Sequence, residues 1–150
     1  MNKVIKILLT FVSAITLTLL STTISFSKVV GDKIILGAAV SLTGKYSSNG
    51  VHTQNGYNMA VDRINSMGGV KVGGKQYMFD IIYYDDESNS GRAAQLAERL
   101  IKQDGVQYML GPYSSGLTKA MAPVTEKYKI PMVEANGASR SLFTKGYKYL

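Results

Sequence analysis

Residues 106–139, VQYMLGPYSSGLTKAMAPVTEKYKIPMVEANGAS, constrain the fold more than any other stretch of the chain. An apolar run, Val106 to Leu110, meets a Gly-Pro break and a serine-rich turn. Beyond the turn Leu117, Ala120, Met121, Val124 and Tyr128 recur at helical spacing, and Pro131 to Glu134 opens a second apolar run. That succession predicts a strand, a helix and a parallel strand, with a kink or irregular turn where Pro123 interrupts the helix. Ser114 and Ser115 fall where the first strand hands over to the helix. Unpaired backbone N–H groups and the positive end of the helix dipole favour an anion or a carboxylate there. Simple capping by the serines is the plainer reading and is compatible with it. The second strand runs out into Asn136-Gly137-Ala138-Ser139. Neighbouring strands of an open parallel sheet present their carboxyl ends to one crevice, where ligands bind. The two polar turns are therefore expected to form half of a small-molecule site, with Tyr113 on the same crevice.

The rest of the chain repeats the alternation. Ile34 to Val40 reads as a strand buried on both faces, followed by Ser41-Leu42-Thr43-Gly44 and a polar loop through Gly50. From Val51 to Met67 the residues Tyr57, Ala60, Val61, Ile64 and Met67 mark one face of a helix, which Gly68-Gly69 stops. A second turn at Gly73-Gly74 predicts a small hairpin leading into a strand over Tyr77 to Tyr84. Asp85-Asp86-Glu87-Ser88-Asn89 ends that strand and offers caps to a helix whose apolar face is Ala93, Leu96, Ala97, Leu100 and Ile101. Tyr147-Lys148-Tyr149-Leu150 looks like the start of a fifth strand. Four such alternations predict an α/β, doubly wound parallel sheet with helices on both faces.

A chain of 150 residues is long enough for one domain with a real core. The absence of cysteine excludes a disulfide framework, a thiolate metal site and a cysteine nucleophile. The formal charge is +7, but Lys3 and Lys6 belong to a leader and the other basic residues are scattered among acids. Nucleic-acid binding calls for a clustered basic face, so none is expected. Met1 to Ser27 has a short positive start, an apolar stretch from Ile7 to Leu20, and Ser25-Phe26-Ser27 at its end. This is the pattern of a secretory signal peptide cleaved near Ser27–Lys28. A membrane anchor needs ~20 predominantly apolar residues, whereas here Ser21-Thr22-Thr23 cuts the run short. A lipoprotein anchor needs a cysteine. Residues 28–150 are therefore expected to be free in the periplasm.

Four tempting motifs fail on their details. Gly44-Lys45 lacks the earlier glycine of a phosphate loop, since position 39 is Ala, and Tyr46 stands where Ser or Thr should follow. Ser41-Leu42-Thr43-Gly44 is like a flavodoxin phosphate loop, but a polar loop separates it from its helix. Asp85, Asp86 and Glu87 could hold a hard cation, though acids at the start of the following helix are the simpler reading. His52 is the single histidine and has no Ser–His–acid pattern around it, which makes it a surface residue. No catalytic pair, metal or cofactor is expected.

Three segments together, GAAVSLTGKYSSNGVHTQNGYNMAVDRINSMGGV, YYDDESNSGRAAQLAERLI and GPYSSGLTKAMAPVTEKYKIPMVEANGAS, resemble the amino-terminal lobe of type I periplasmic binding proteins. The branch they resemble is the leucine/isoleucine/valine-binding group that feeds ABC importers, and the likeness runs from Lys33 to Leu150. It implies a two-lobed protein more than twice this length that closes on its ligand like a hinged clamp, with an incomplete first lobe here. It also implies roles. Ser115, with Ser114 adjacent, would bind the ligand carboxylate. Ala138 and Ser139, with Gly137 before them, would bind the carboxylate and ammonium, although an ungapped alignment shifts that pair by one residue. Asn49 stands where the valine-type binders place an aromatic side chain. The acid that holds the ligand ammonium would come from the second lobe. The implied ligand is a branched-chain or other hydrophobic amino acid, or an amide, and the implied partner is the membrane permease of an ABC transporter. A ligand-sensing module of a receptor or regulator, or a flavodoxin-like enzyme domain, shares the fold and stands as the alternative.

Overall fold

The computed structural model describes residues 29–150; the expected leader and its cleavage point lie outside the described residues. Strand β1 (Val29–Val30) turns back antiparallel onto β2 (Lys33–Val40). There follow α1 (Ser47–Ser66), β3 (Val70–Val72), β4 (Lys75–Asp85), α2 (Ser90–Lys102), β5 (Met109–Leu110), α3 (Ser115–Tyr128), β6 (Met132–Val133) and α4 (Arg140–Phe143). The main sheet has the order β3-β4-β2-β5-β6. β4 and β5 flank β2 in parallel, β6 lies parallel to β5, and β3 pairs antiparallel with β4 as the expected hairpin.

Lying between two parallel neighbours, β2 is buried on both faces over its second half, where Ala38, Ala39 and Val40 are fully enclosed. The chain moves outward from β2 to β4, then crosses back over β2 to reach β5. Right-handed crossovers in opposite directions put helices on opposite faces of the sheet. α2 and α3 accordingly pack on each other over one face, while α1 rests on β2 and β4 from the other. The core lies on the α2/α3 side, where Leu96 and Leu100 of α2 meet Leu117 and Met121 of α3 above Ala39 and Met109. The turns after β2, β5 and β6 all leave the sheet at one end. That end is the switch point of a doubly wound sheet.

Several boundaries differ from the sequence reading. α1 begins at Ser47, so the polar loop expected through Gly50 is the first turn of the helix. The apolar residues of α1 pack loosely: Met67 is exposed, Val61 and Ile64 are half-buried, and the helix buries only Gly50 and Thr53 completely. Val106 is buried, but its N–H closes the end of α2 on the Leu100 carbonyl (3.1 Å), so β5 is limited to Met109–Leu110. α3 runs through Pro123 unbroken, with exposed Pro123 on its outer side. Tyr147 to Leu150 is not a strand. Tyr149 accepts one backbone bond from Met132 (2.8 Å), while Glu126 takes the Lys148 and Tyr149 N–H groups that a ladder would have used. The short α4 was not anticipated; buried Leu142 anchors it.

On the α1 side the sheet is only partly covered. An apolar groove of 420 Å³ runs beside the helix, between Ile34, Leu36, Val61, Phe79, Tyr108 and Val133. No helix of the described residues is long and apolar enough to cross a membrane.

Candidate ligand site

The site is built from the turns after β5 and β6. Gly111 and Pro112 are buried beneath the first turn, and Ser114 takes the N-cap position of α3 with φ at +82°. Its hydroxyl accepts from the Leu117 N–H at 3.4 Å, so Ser114 is used as a cap. Ser115 opens the helix, and its Oγ accepts the Ser139 N–H at 2.9 Å. This bond joins the two turns that the sequence placed in one crevice. It uses a lone pair of Ser115 and leaves the hydroxyl proton for another acceptor. Ser139 in turn takes the N-cap position of α4 without a side-chain cap bond, and its Oγ lies 2.9 Å from Ser141 Oγ.

Beside the joined turns lies a cavity of 400 Å³ walled by Asn49, His52 and Tyr57 of α1 and by Tyr113, Ala135 and Asn136. Tyr113 and Asn49, both singled out from sequence, therefore line it. Ser114, Ser115, Gly137, Ala138 and Ser139 are not in its wall; they continue the chain from its lining residues Tyr113 and Asn136. The sequence reading missed His52, Thr53 and Tyr57. They share one face of α1 with Asn49, at helical spacing, which a correct helix start would have revealed.

The Tyr57 hydroxyl donates to the Gly111 carbonyl at 2.6 Å and so ties α1 to the end of β5. Burial, with the Glu134 carboxyl nearby, pushes its pKa far above the usual tyrosine range, so it stays a donor. Tyr83 donates to Asn58 Oδ1 at 2.9 Å, and burial pushes it up to about 12. Tyr113 meets Tyr46 edge-to-face with centroids 5.6 Å apart.

Glu134 was also missed. It folds back from β6, and its Oε1 accepts the N–H groups of Asn136 and Gly137, both at 2.6 Å.

The acidic cluster after β4 knits strands together. Ser41 Oγ donates to Asp86 Oδ1 at 2.6 Å, and Asp85 Oδ1 accepts the Leu42 N–H at 2.9 Å and the Thr43 N–H at 3.2 Å. Burial works against the Asp85 charge, but the bonds from Thr43, Glu87 and Leu42 hold its carboxyl below the usual range. Asn89, not an acid, caps α2 through the Arg92 N–H. Among the described residues no group of side chains is arranged to hold a metal ion.

A family model described as periplasmic binding protein matches residues 33–149. The chain belongs to the periplasmic binding protein family. Among curated relatives, the Leu/Ile/Val-binding protein homolog 8 of Brucella abortus is 29% identical over 131 residues, covering 87% of this chain and 31% of its own length. The leucine-specific-binding protein of Salmonella typhimurium is 27% identical over 121 residues, covering 81% and 31%. Among solved structures, the substrate binding protein LivJ of Streptococcus pneumoniae, in complex with isoleucine, superposes with a TM-score of 0.70 at 31% identity. That match covers 79% of this chain and 32% of the other. A solute binding protein of Rhodopseudomonas palustris, in complex with p-hydroxybenzoic acid, gives 0.60 at 31% identity over 74% of this chain and 29% of the other. The chain thus spans about a third of the length of the proteins it matches, and these are binding proteins rather than enzymes.

Proposed function

We propose that this chain is the first lobe of an extracytoplasmic solute-binding protein, which captures a small amino-acid-like ligand between two lobes and delivers it to the membrane permease of an ABC importer. One observation carries this reading: the Ser115–Ser139 bond draws the turns after β5 and β6 together at the edge of the 400 Å³ cavity. A ligand carboxylate placed there would receive the Ser115 hydroxyl proton and lie at the amino end of α3, where the helix dipole favours negative charge. Tyr113 and Tyr57 offer an aromatic wall to an apolar side chain, and Asn49 and Asn136 offer amides. An opposing lobe would supply the partner for the ammonium and exclude water on closing, which strengthens each of these bonds. Export through residues 1–27 and residence in the periplasm belong to the same proposal.

A second ligand class, an aromatic acid, is favoured by the tyrosine-rich wall and by the neighbour crystallised with p-hydroxybenzoic acid. Both classes present a carboxylate to Ser115 and differ in what meets Tyr113. Calorimetric titration of the full-length protein with leucine, isoleucine, valine and 4-hydroxybenzoate separates them. Micromolar binding of an amino acid supports the first reading, and binding of 4-hydroxybenzoate alone supports the second. Binding of neither class overturns the assignment of this site.

A further inference from the structure

The glutamate at the end of β6 occupies a slot made for it. Besides the Asn136 and Gly137 N–H groups on Oε1, Glu134 places Oε2 2.8 Å from Thr118 Oγ1 of α3. Thr118 is fully buried, and its hydroxyl also lies 2.9 Å from the Ser114 carbonyl oxygen. A threonine hydroxyl has one proton. The Ser114 carbonyl also accepts the Thr118 N–H at 3.1 Å, which leaves the Thr118 hydroxyl proton for Glu134. Every atom of the carboxyl is then engaged: the Thr118 O–H donates to Oε2, and two N–H groups donate to Oε1. Two glycines leave room for it. A Cβ on Gly111 would stand 2.1 Å from Oε2, and one on Gly137 would stand 2.9 Å from Thr118 Oγ1 and 3.1 Å from the carboxyl carbon.

We propose that Glu134 is a positioning residue for the ligand site, a carboxyl that latches the 136–139 turn to the amino end of α3 and so sets the Ser115–Ser139 contact. The inference rests on the reading of that contact as part of the ligand site. The latch joins Glu134 of β6 to Thr118, which bonds the Ser114 cap one residue ahead of Ser115, and it holds the backbone three residues ahead of Ser139. It also consumes the Asn136 and Gly137 N–H groups, so a ligand carboxylate does not meet them. Near the carboxyl, α1 contributes Tyr57, a neutral phenol. No cation pairs with Glu134 among the described residues. Burial pushes the Glu134 pKa up against the pull of its hydrogen bonds.

The test is amide hydrogen exchange across residues 135–139 of the full-length protein, for wild type, Glu134→Gln and Glu134→Ala, with rates corrected for intrinsic pH dependence. Glutamine keeps an acceptor for the two N–H groups and a donor for Thr118. Exchange in the Gln variant is expected to match wild type, and in the Ala variant it should be about tenfold faster. Isoleucine affinity by calorimetry should follow the same order, with the Gln variant rescuing what the Ala variant loses. Unchanged protection in the Ala variant, or a Gln variant as unprotected as Ala, overturns the latch. Where the Ala variant does not fold, Thr118→Val, which removes the partner of Oε2, takes its place and should likewise speed exchange. Failure of isoleucine to bind any variant counts against the ligand reading, and the exchange data judge the latch separately.

Discussion

Ser115 and Ser114 are adjacent and identical in kind, yet the structure uses them differently. Ser114 turns its hydroxyl onto the Leu117 N–H, whereas Ser115 accepts from Ser139 and keeps a proton to give. Ser115→Ala in the full-length protein is therefore expected to weaken ligand binding by ~1.5–3 kcal/mol, the usual loss for a hydrogen bond to a charged group. Calorimetry with the cognate ligand checks it, and an unchanged dissociation constant would reduce Ser115 to a tie between turns. The serines were legible because a Gly-Pro break and a helical period bracket them within a few residues. Glu134 was not. A glutamate at a strand end reads as solvated surface, and its inward fold depends on Gly111 and Thr118, whose proximity only the tertiary structure creates. The same holds for His52 and Tyr57, whose shared face with Asn49 was hidden while Ser47-Ser48-Asn49-Gly50 looked like loop.

Elements with a clear apolar period were legible, and those held by tertiary contacts were not. α2 shows the first case: its expected face is its buried face, apart from half-buried Ile101. α1 shows the second, since its first turn is polar and is secured by contacts such as Ser88 Oγ on the Tyr46 N–H (3.0 Å). β5 lost three expected residues because Val106 is buried by closing α2 rather than by pairing in the sheet. α3 is the element where local chemistry and fold disagree. Pro123 removes one helical hydrogen bond and crowds the carbonyl four residues back, at a typical cost of ~3 kcal/mol, yet the helix continues to Tyr128. Packing of Leu117, Met121 and Thr125 on either side of it holds the helix together. Pro123→Ala restores the N–H on an exposed face and gives the unfolded chain back some freedom. The net expectation is a gain of about 1–2 kcal/mol, read as a higher melting temperature. A lower one would mean that the ring is part of the packing.

At the scale of the molecule, what matters is the face left open. Val133 and Tyr108 stand exposed along the groove beside α1, on a sheet that parallel architecture normally covers on both sides. The 150-residue chain alone is expected to self-associate with rising concentration, and to bind hydrophobic amino acids with a dissociation constant on the order of millimolar or not at all. Light scattering and a titration series check both. A well-behaved monomer binding at micromolar or better would show that one lobe carries the function. The two boundaries of the cavity also differ in how far apart their parts lie along the chain. Ser115 and Ser139 are separated by 24 positions, whereas the Tyr57–Gly111 bond that fixes α1 spans 54. Closing a shorter loop costs less entropy, so the Ser115–Ser139 edge can form from one uninterrupted run of residues, while the wall must wait for distant segments to meet. A newly made chain would thus acquire that edge before it acquires an enclosure.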